Sequence, residues 1–137
     1  MSAPQPPDAV RELLERHGCP AHVVQGGLEG LLEQWEHTVD DVEEIYPLGL
    51  DDYLGDMDNR QLLDEALEVA SEPVRREIQP KLKAVDDRMR GLVDPAGRCL
   101  WGVDMAEQHD WTPAKNWWYF TQPAEPGPEL KEDLATR

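Results

Sequence analysis

The 137-residue sequence predicts a mainly α domain: a small antiparallel bundle of four to five helices closed by an aromatic-rich C-terminal segment, with a short β-hairpin as an option there. Three observations predict it. Apolar residues recur at three- and four-residue steps from Val10 to Leu92, which keeps them on one face of each helix. The links between these runs are short, as antiparallel neighbours require. Six of the nine aromatic residues fall after Gly97, where the helical period stops.

Residues 1–7 carry three prolines and no periodicity, so they read as a flexible leader to a single helical domain over residues 8–122. Asp8 is placed to cap a first helix through His17, with Val10, Leu13 and Leu14 facing inward. Gly18 suits a left-handed close. Residues 19–27 form a connector anchored by Val23 and Val24.

The organising helix is Gly27 to Tyr46. Leu28, Leu31, Leu32, Trp35, Val39, Val42, Ile45 and Tyr46 form its core stripe, and Pro47 sets its end. Asp51 or Asp52 caps the next helix, which Gly55 weakens enough to predict a bend near Gly55 to Asn59. Ser71-Glu72-Pro73 stops that helix and starts a fourth, stepping through Val74, Ile78, Leu82, Val85, Met89 and Leu92. Pro80 predicts a kink or a fresh start inside it.

Arg98 to Trp101 and Asn116 to Gln122 read as short strands that pair as a hairpin. If extended, Trp117 and Tyr119 face one way and Trp118 and Phe120 the other. One pair is core. The other needs cover from the bundle, a second subunit or a ligand, which makes Trp118 and Phe120 candidates for self-association. Residues 123–137 read as a polar tail, with Glu129 to Thr136 a marginal helix.

The formal net charge is −16, and it is unevenly placed. Eleven acids and no Lys or Arg lie between Arg16 and Arg60, whereas residues 74–98 carry an excess of three positive charges. Such a field disfavours nucleic acid and anionic membranes and draws basic partners. On the organising helix Glu29, Glu33, Glu36, Asp40, Glu43 and Glu44 share the helical period and flank the apolar stripe. Like charges four residues apart cost a few tenths of a kcal/mol each, and no interleaved lysine relieves them. The strip suits docking of a basic partner. It equally suits a solvated face answered by Arg75, Arg76, Lys81, Lys83, Arg88 and Arg90 of the fourth helix.

Other chemistry is thinly signalled. Asp51, Asp52, Asp56 and Asp58 lack the glycine and terminal glutamate of a calcium loop, and Arg60 opposes a cation there. His17, Cys19 and His22 have no second cluster to complete a zinc site. No serine elbow, phosphate-binding glycine loop, HExxH or CxxC is present. Two cysteines make no disulfide framework, and with no signal-like N-terminus the expected location is cytoplasmic.

The leading expectation is a non-enzymatic acidic protein that docks or neutralises a basic protein, as inhibitors and immunity proteins do, using Glu29, Glu33, Glu36, Asp40, Glu43, Glu44, Asp51 and Asp52. No nucleic acid, membrane, metal or cofactor is expected, and the chain is expected as a monomer or homodimer. Two alternatives stand beside it. One is a small carboxylate- or metal-dependent hydrolase using Asp56, Asp58, His37 or His109; the other is a homodimer or adaptor assembled through the aromatic segment.

Overall fold

Trp35 and Val39 are wholly inaccessible to solvent, and Leu28, Leu31 and Val42 beside them are nearly so. Each such side chain contributes about 1.5–3 kcal/mol on leaving water, so this stripe is the axis on which the other elements are laid. The computed structural model describes residues 6–136. Among them are α1 (Pro6–Arg16), α2 (Ala21–Glu44), α3 (Leu50–Val69), α4 (Glu72–Arg90), α5 (Val103–His109) and α6 (Pro128–Ala135). Two short strands, β1 (Val93–Pro95) and β2 (Thr121–Pro123), complete the regular structure with a 3-10 turn, Trp117–Tyr119. The protein is thus mainly helical, with α2 packed against α1, α3 and α4, and α3 against α1 and α6. No helix among the described residues is long and apolar enough to cross a membrane.

Several local expectations change. The leader lies mostly outside the described residues. α1 begins at Pro6, so Asp8 falls within the helix and does not cap it. Helical structure resumes at Ala21 within the expected connector, and Gly27 (φ 59°, ψ −150°) breaks α2 there, in a conformation that only glycine adopts without strain. At its other end α2 stops at Glu44. Ile45 has a φ of 98° and is 43% exposed, so it leaves the core stripe to which the period assigned it.

α3 does not bend at Gly55. Tyr53, Leu54, Met57, Arg60 and Leu63 are buried without interruption along one side, and this packing outweighs the weak propensity of an exposed glycine. α4 likewise continues unbroken through Pro80. The proline is exposed, while Ile78, Leu82, Val85 and Met89 hold the opposite side in the core. The backbone group it leaves unpaired therefore faces water.

The C-terminal third differs most. β1 and β2 are antiparallel, pairing Val93 with Pro123, Asp94 with Gln122 and Pro95 with Thr121. They are distant in sequence and are not a hairpin; Arg98 to Trp101 forms no strand. Instead of alternating, Trp117, Trp118 and Tyr119 curl into a 3-10 turn and are all buried. A single turn places three consecutive rings against the helices, which an extended strand does not do.

The segment expected as a polar tail packs onto the domain. Leu130 is wholly buried, and Asp133 Oδ2 accepts a hydrogen bond from Leu50 N at 2.9 Å. An α6 carboxylate therefore caps α3, while Asp51 and Asp52 sit within the first turn and make no cap. Gly127 lies so close to the Ile45–Tyr46 corner that an added Cβ would stand 2.4 Å from Tyr46 O. Gly127→Ala is expected to push α6 off this corner and to destabilise the fold by about 1–3 kcal/mol, the usual cost of overpacking. Gly91→Ala, whose φ of −75° suits any residue, is expected to melt within a degree or two of the parent. Equal melting temperatures for the two variants would mean that α6 is not held at this contact.

Candidate functional site

The eight carboxylates singled out from the sequence, Glu29, Glu33, Glu36, Asp40, Glu43, Glu44, Asp51 and Asp52, are all exposed. Their partners divide them. Arg88 of α4 donates to Asp40 and, at 2.9 Å, to Glu43, and both contacts raise its pKa. Asp51 and Asp52 lie at the N-terminal end of α3, where the helix dipole favours negative charge. Glu29, Glu33, Glu36 and Glu44 have no ion-pair partner among the described residues.

The basic residues of α4 do not answer this strip as a set. Arg75 and Arg76 reach Glu72, Lys81 reaches Glu77 and Lys83 reaches Asp87, all on their own helix. Arg90 lies 4.3 Å over the Trp117 ring. Arg88 alone crosses to α2.

A second constellation surrounds α3. Asp58 Oδ1 accepts from Tyr119 Oη at 2.6 Å and from Trp101 Nε1 at 3.0 Å. One turn on, Gln61 donates to Glu65 Oε2 at 2.9 Å and accepts from Asn116 Nδ2 at 2.9 Å. His17 Nε2 stands 3.2 Å from Glu65 Oε1. Trp111 stacks between Tyr119 at 4.0 Å and His109 at 4.7 Å. All of these residues except Asn116 wall a cleft of about 520 Å³, within the size range of small-ligand pockets. Cys19 lines it as a free thiol, and Cys99 is free and buried elsewhere. Burial, and then the Asp58 hydrogen bond, push the Tyr119 phenol far above its ordinary value. That phenol is therefore a permanent donor and holds Asp58 in place.

The cleft and the strip are linked by shared wall residues. The cleft shares Asn59 with a smaller hollow lined by His22, Leu31, Gly30 and Gln34. That hollow shares Gly30 and Gln34 with one walled by Glu33, Glu36, His37 and Asp40. No Lys or Arg lines any of the three. A larger hollow of about 690 Å³ opens at the Gly27 break, but its walls mix Arg11 with Glu29 and Glu77 and bring no polar groups to a common point.

The hydrolase residues are divided by the fold. Asp58 and His109 line the cleft. Asp56 instead accepts from Tyr46 Oη at 2.6 Å, and His37 stands 3.8 Å from Asp41. Burial raises the Asp56 pKa, with the Asp41 and Asp52 charges adding to it and the Tyr46 hydrogen bond opposing it. Among the described residues no three His, Cys, Asp or Glu side chains converge as a metal-binding group. Of the self-association candidates, Trp118 is 1% exposed and Phe120 is half-buried against the core, so the cover that the second aromatic pair needed comes from this chain.

One polar centre was not legible in the sequence. Arg60 is 4% exposed, and it pairs with Asp86 through two hydrogen bonds of 3.1 and 2.8 Å. Its guanidinium lies 4.1 Å over Trp118 and 6.0 Å from Trp35, whose Nε1 also donates to Asp86 Oδ1 at 2.9 Å. This knot ties α2, α3, α4 and the aromatic segment together. The only hint of it is that Arg60 and Asp86 fall on or beside the apolar stripes of their helices.

No family model matches the chain, and no curated protein or solved structure shows significant similarity to it.

Proposed function

We propose that this is a non-enzymatic binding protein that docks a basic protein partner on the acidic face of α2. One observation carries the reading: Glu29, Glu33, Glu36 and Glu44 are exposed and unpaired, although the molecule has basic residues close enough to send Arg88 to their neighbours. A face evolved only for stability gains from interleaved cations, and this one leaves four carboxylates free to meet charges from outside. Opposed potentials of this kind raise encounter rates and select partners more than they add raw affinity. The face is carried on what we read as an antiparallel bundle about α2, in which α1 to α4 are joined by links of two to five residues.

The test replaces Glu29, Glu33, Glu36 and Glu44 together with Gln, leaving Asp40 and Glu43 on Arg88. Because the four make no ion pairs, the fold is expected to keep its stability or gain slightly as the Glu29–Glu33 repulsion goes. Association with a Lys/Arg-rich probe peptide, followed by stopped flow at low salt, is expected to slow by about 10-fold or more and to lose most of its salt dependence. Unchanged rates in a folded variant would remove the docking reading.

A further inference from the structure

The cleft behind the acidic face has walls of a different kind from the strip. Asp58 is oriented by two donors on a single oxygen, Oδ1, and Oδ2 accepts no hydrogen bond among the described residues. The other carboxylate, Glu65, is engaged on both oxygens, by His17 and Gln61. Trp111 has both faces covered by its stacking partners. Trp101 is half-buried, stacks on no other ring among the described residues and is fixed by its Nε1 hydrogen bond to Asp58. The cleft therefore offers one carboxylate oxygen beside one free indole, in a cavity lined by two acids and no Lys or Arg.

This combination selects for charge and for shape. A carboxylate attracts a cation, and the negative face of an indole ring attracts a cation placed over it. An aromatic wall also receives the apolar stem behind a charged head. A bare metal ion gains little here, because no third ligand converges. An anion meets two like charges. What fits is an organic cation with a hydrocarbon stem.

We propose that this cleft is an anchor pocket for a Lys or Arg side chain, its ammonium or guanidinium on Asp58 Oδ2 and its stem against Trp101. The identity of the occupant rests on the docking reading above, since two hollows that share Asn59 and then Gly30 and Gln34 lie between the cleft and the α2 carboxylates. An extended basic segment can then lie along the face with one residue inserted. The affinity of the cleft for a single cation does not depend on the strip.

The test uses the intact protein and blocked single amino acids: N-acetyl-lysine methylamide, N-acetyl-arginine methylamide and, as a neutral counterpart, N-acetyl-norleucine methylamide. Binding is read from the Trp101 indole NMR resonance and, in the variant that lacks this indole, from that of Trp111 in the same cleft. At least one cationic probe is expected to shift that resonance with saturable, millimolar affinity, five-fold or more tighter than norleucine. Asp58→Asn keeps an oxygen for Tyr119 and Trp101 but removes the charge, and Trp101→Phe keeps a smaller ring; each is expected to weaken the cation by three-fold or more. Tetramethylammonium separates a free small cation from a side chain: if it binds as tightly as the blocked residues, the pocket serves a free amine and the side-chain assignment falls. Equal binding of norleucine, or no saturable shift with either cationic probe, overturns the pocket itself. The Gln variant of α2 is expected to bind the blocked residues like the parent. If it does so and also binds the Lys/Arg-rich peptide at the parental rate, the docking reading fails while the pocket stands.

Discussion

Raising the pH above 10 is expected to unfold the protein before any tyrosine ionises in the native state. The chain has three tyrosines, Tyr46, Tyr53 and Tyr119, each no more than 1% exposed. Burial is the first cause that raises all three phenol pKa values above 10, and hydrogen bonds to Asp56 and Asp58 add to it for Tyr46 and Tyr119. The sign follows from linkage. The native state keeps three protons that the unfolded chain gives up near pH 10, so stability is intact below that pH and falls as pH rises through and beyond it. Each pH unit above 10 costs about 1.4 kcal/mol per tyrosine, or roughly 4 kcal/mol for three. Two units approach the whole stability of an ordinary domain, about 5–15 kcal/mol.

Tyrosinate absorbance near 295 nm and loss of far-UV circular dichroism are therefore expected to rise on one curve. A full equivalent of tyrosinate near pH 10 with the helical signal intact would contradict the burial described for at least one ring. Tyr53→Phe isolates one share. Its hydroxyl is buried with no hydrogen-bond partner, so the variant is expected to match or exceed the parent at neutral pH and to lose about a third of the alkaline slope.

The second large effect is expected at the Arg60–Asp86 pair. The Arg60 side chain is 5% accessible and that of Asp86 15%, so little solvent screens them. Asp86→Ala strands the guanidinium in the core with Asp64 at 3.7 Å as its nearest remaining carboxylate, and it also strands the Trp35 Nε1 donor. The expected cost is about 3–5 kcal/mol, as for other broken buried pairs. A loss of that size lowers the melting temperature by about 10–20 °C.

Arg60→Met keeps much of the stem against Trp118, and water can reach the Asp86 left behind, so its cost is expected to be smaller. The double variant Arg60→Met, Asp86→Leu removes both charges and is expected to recover much of the loss, with Trp35 Nε1 the remaining unpaired group. Thermal melts of the parent, Arg60→Met, the single variant Asp86→Leu and the double variant give the coupling directly. Strict additivity would show that the pair acts as two independent packing residues.

Much of the helical framework was legible in the sequence because amphipathic period is a local property. The core assignments of Leu28, Leu31, Trp35, Val39 and Val42 follow from spacing alone, as do the stop before Pro47 and the restart at Ser71. The failures share one cause: in each, tertiary packing outweighed a local rule. Gly55 and Pro80 did not interrupt their helices because the opposite faces were held in the core. The aromatic run curled because three buried rings displace more water than two.

Period states which face of a helix is apolar and where carboxylates accumulate, so the sequence by itself determined the buried stripe of α2, its acidic flank and the charge-free-of-cations window around it. Period does not state which residue meets which across the interior. Only the tertiary structure decided that Asp133 caps α3 from 83 residues away and that Arg88 takes Asp40 and Glu43. It alone placed Trp101 and Tyr119 on Asp58. These pairings depend on how helices and the C-terminal segment are set against one another, a geometry decided by the fit of whole faces rather than by any neighbouring residue in the chain.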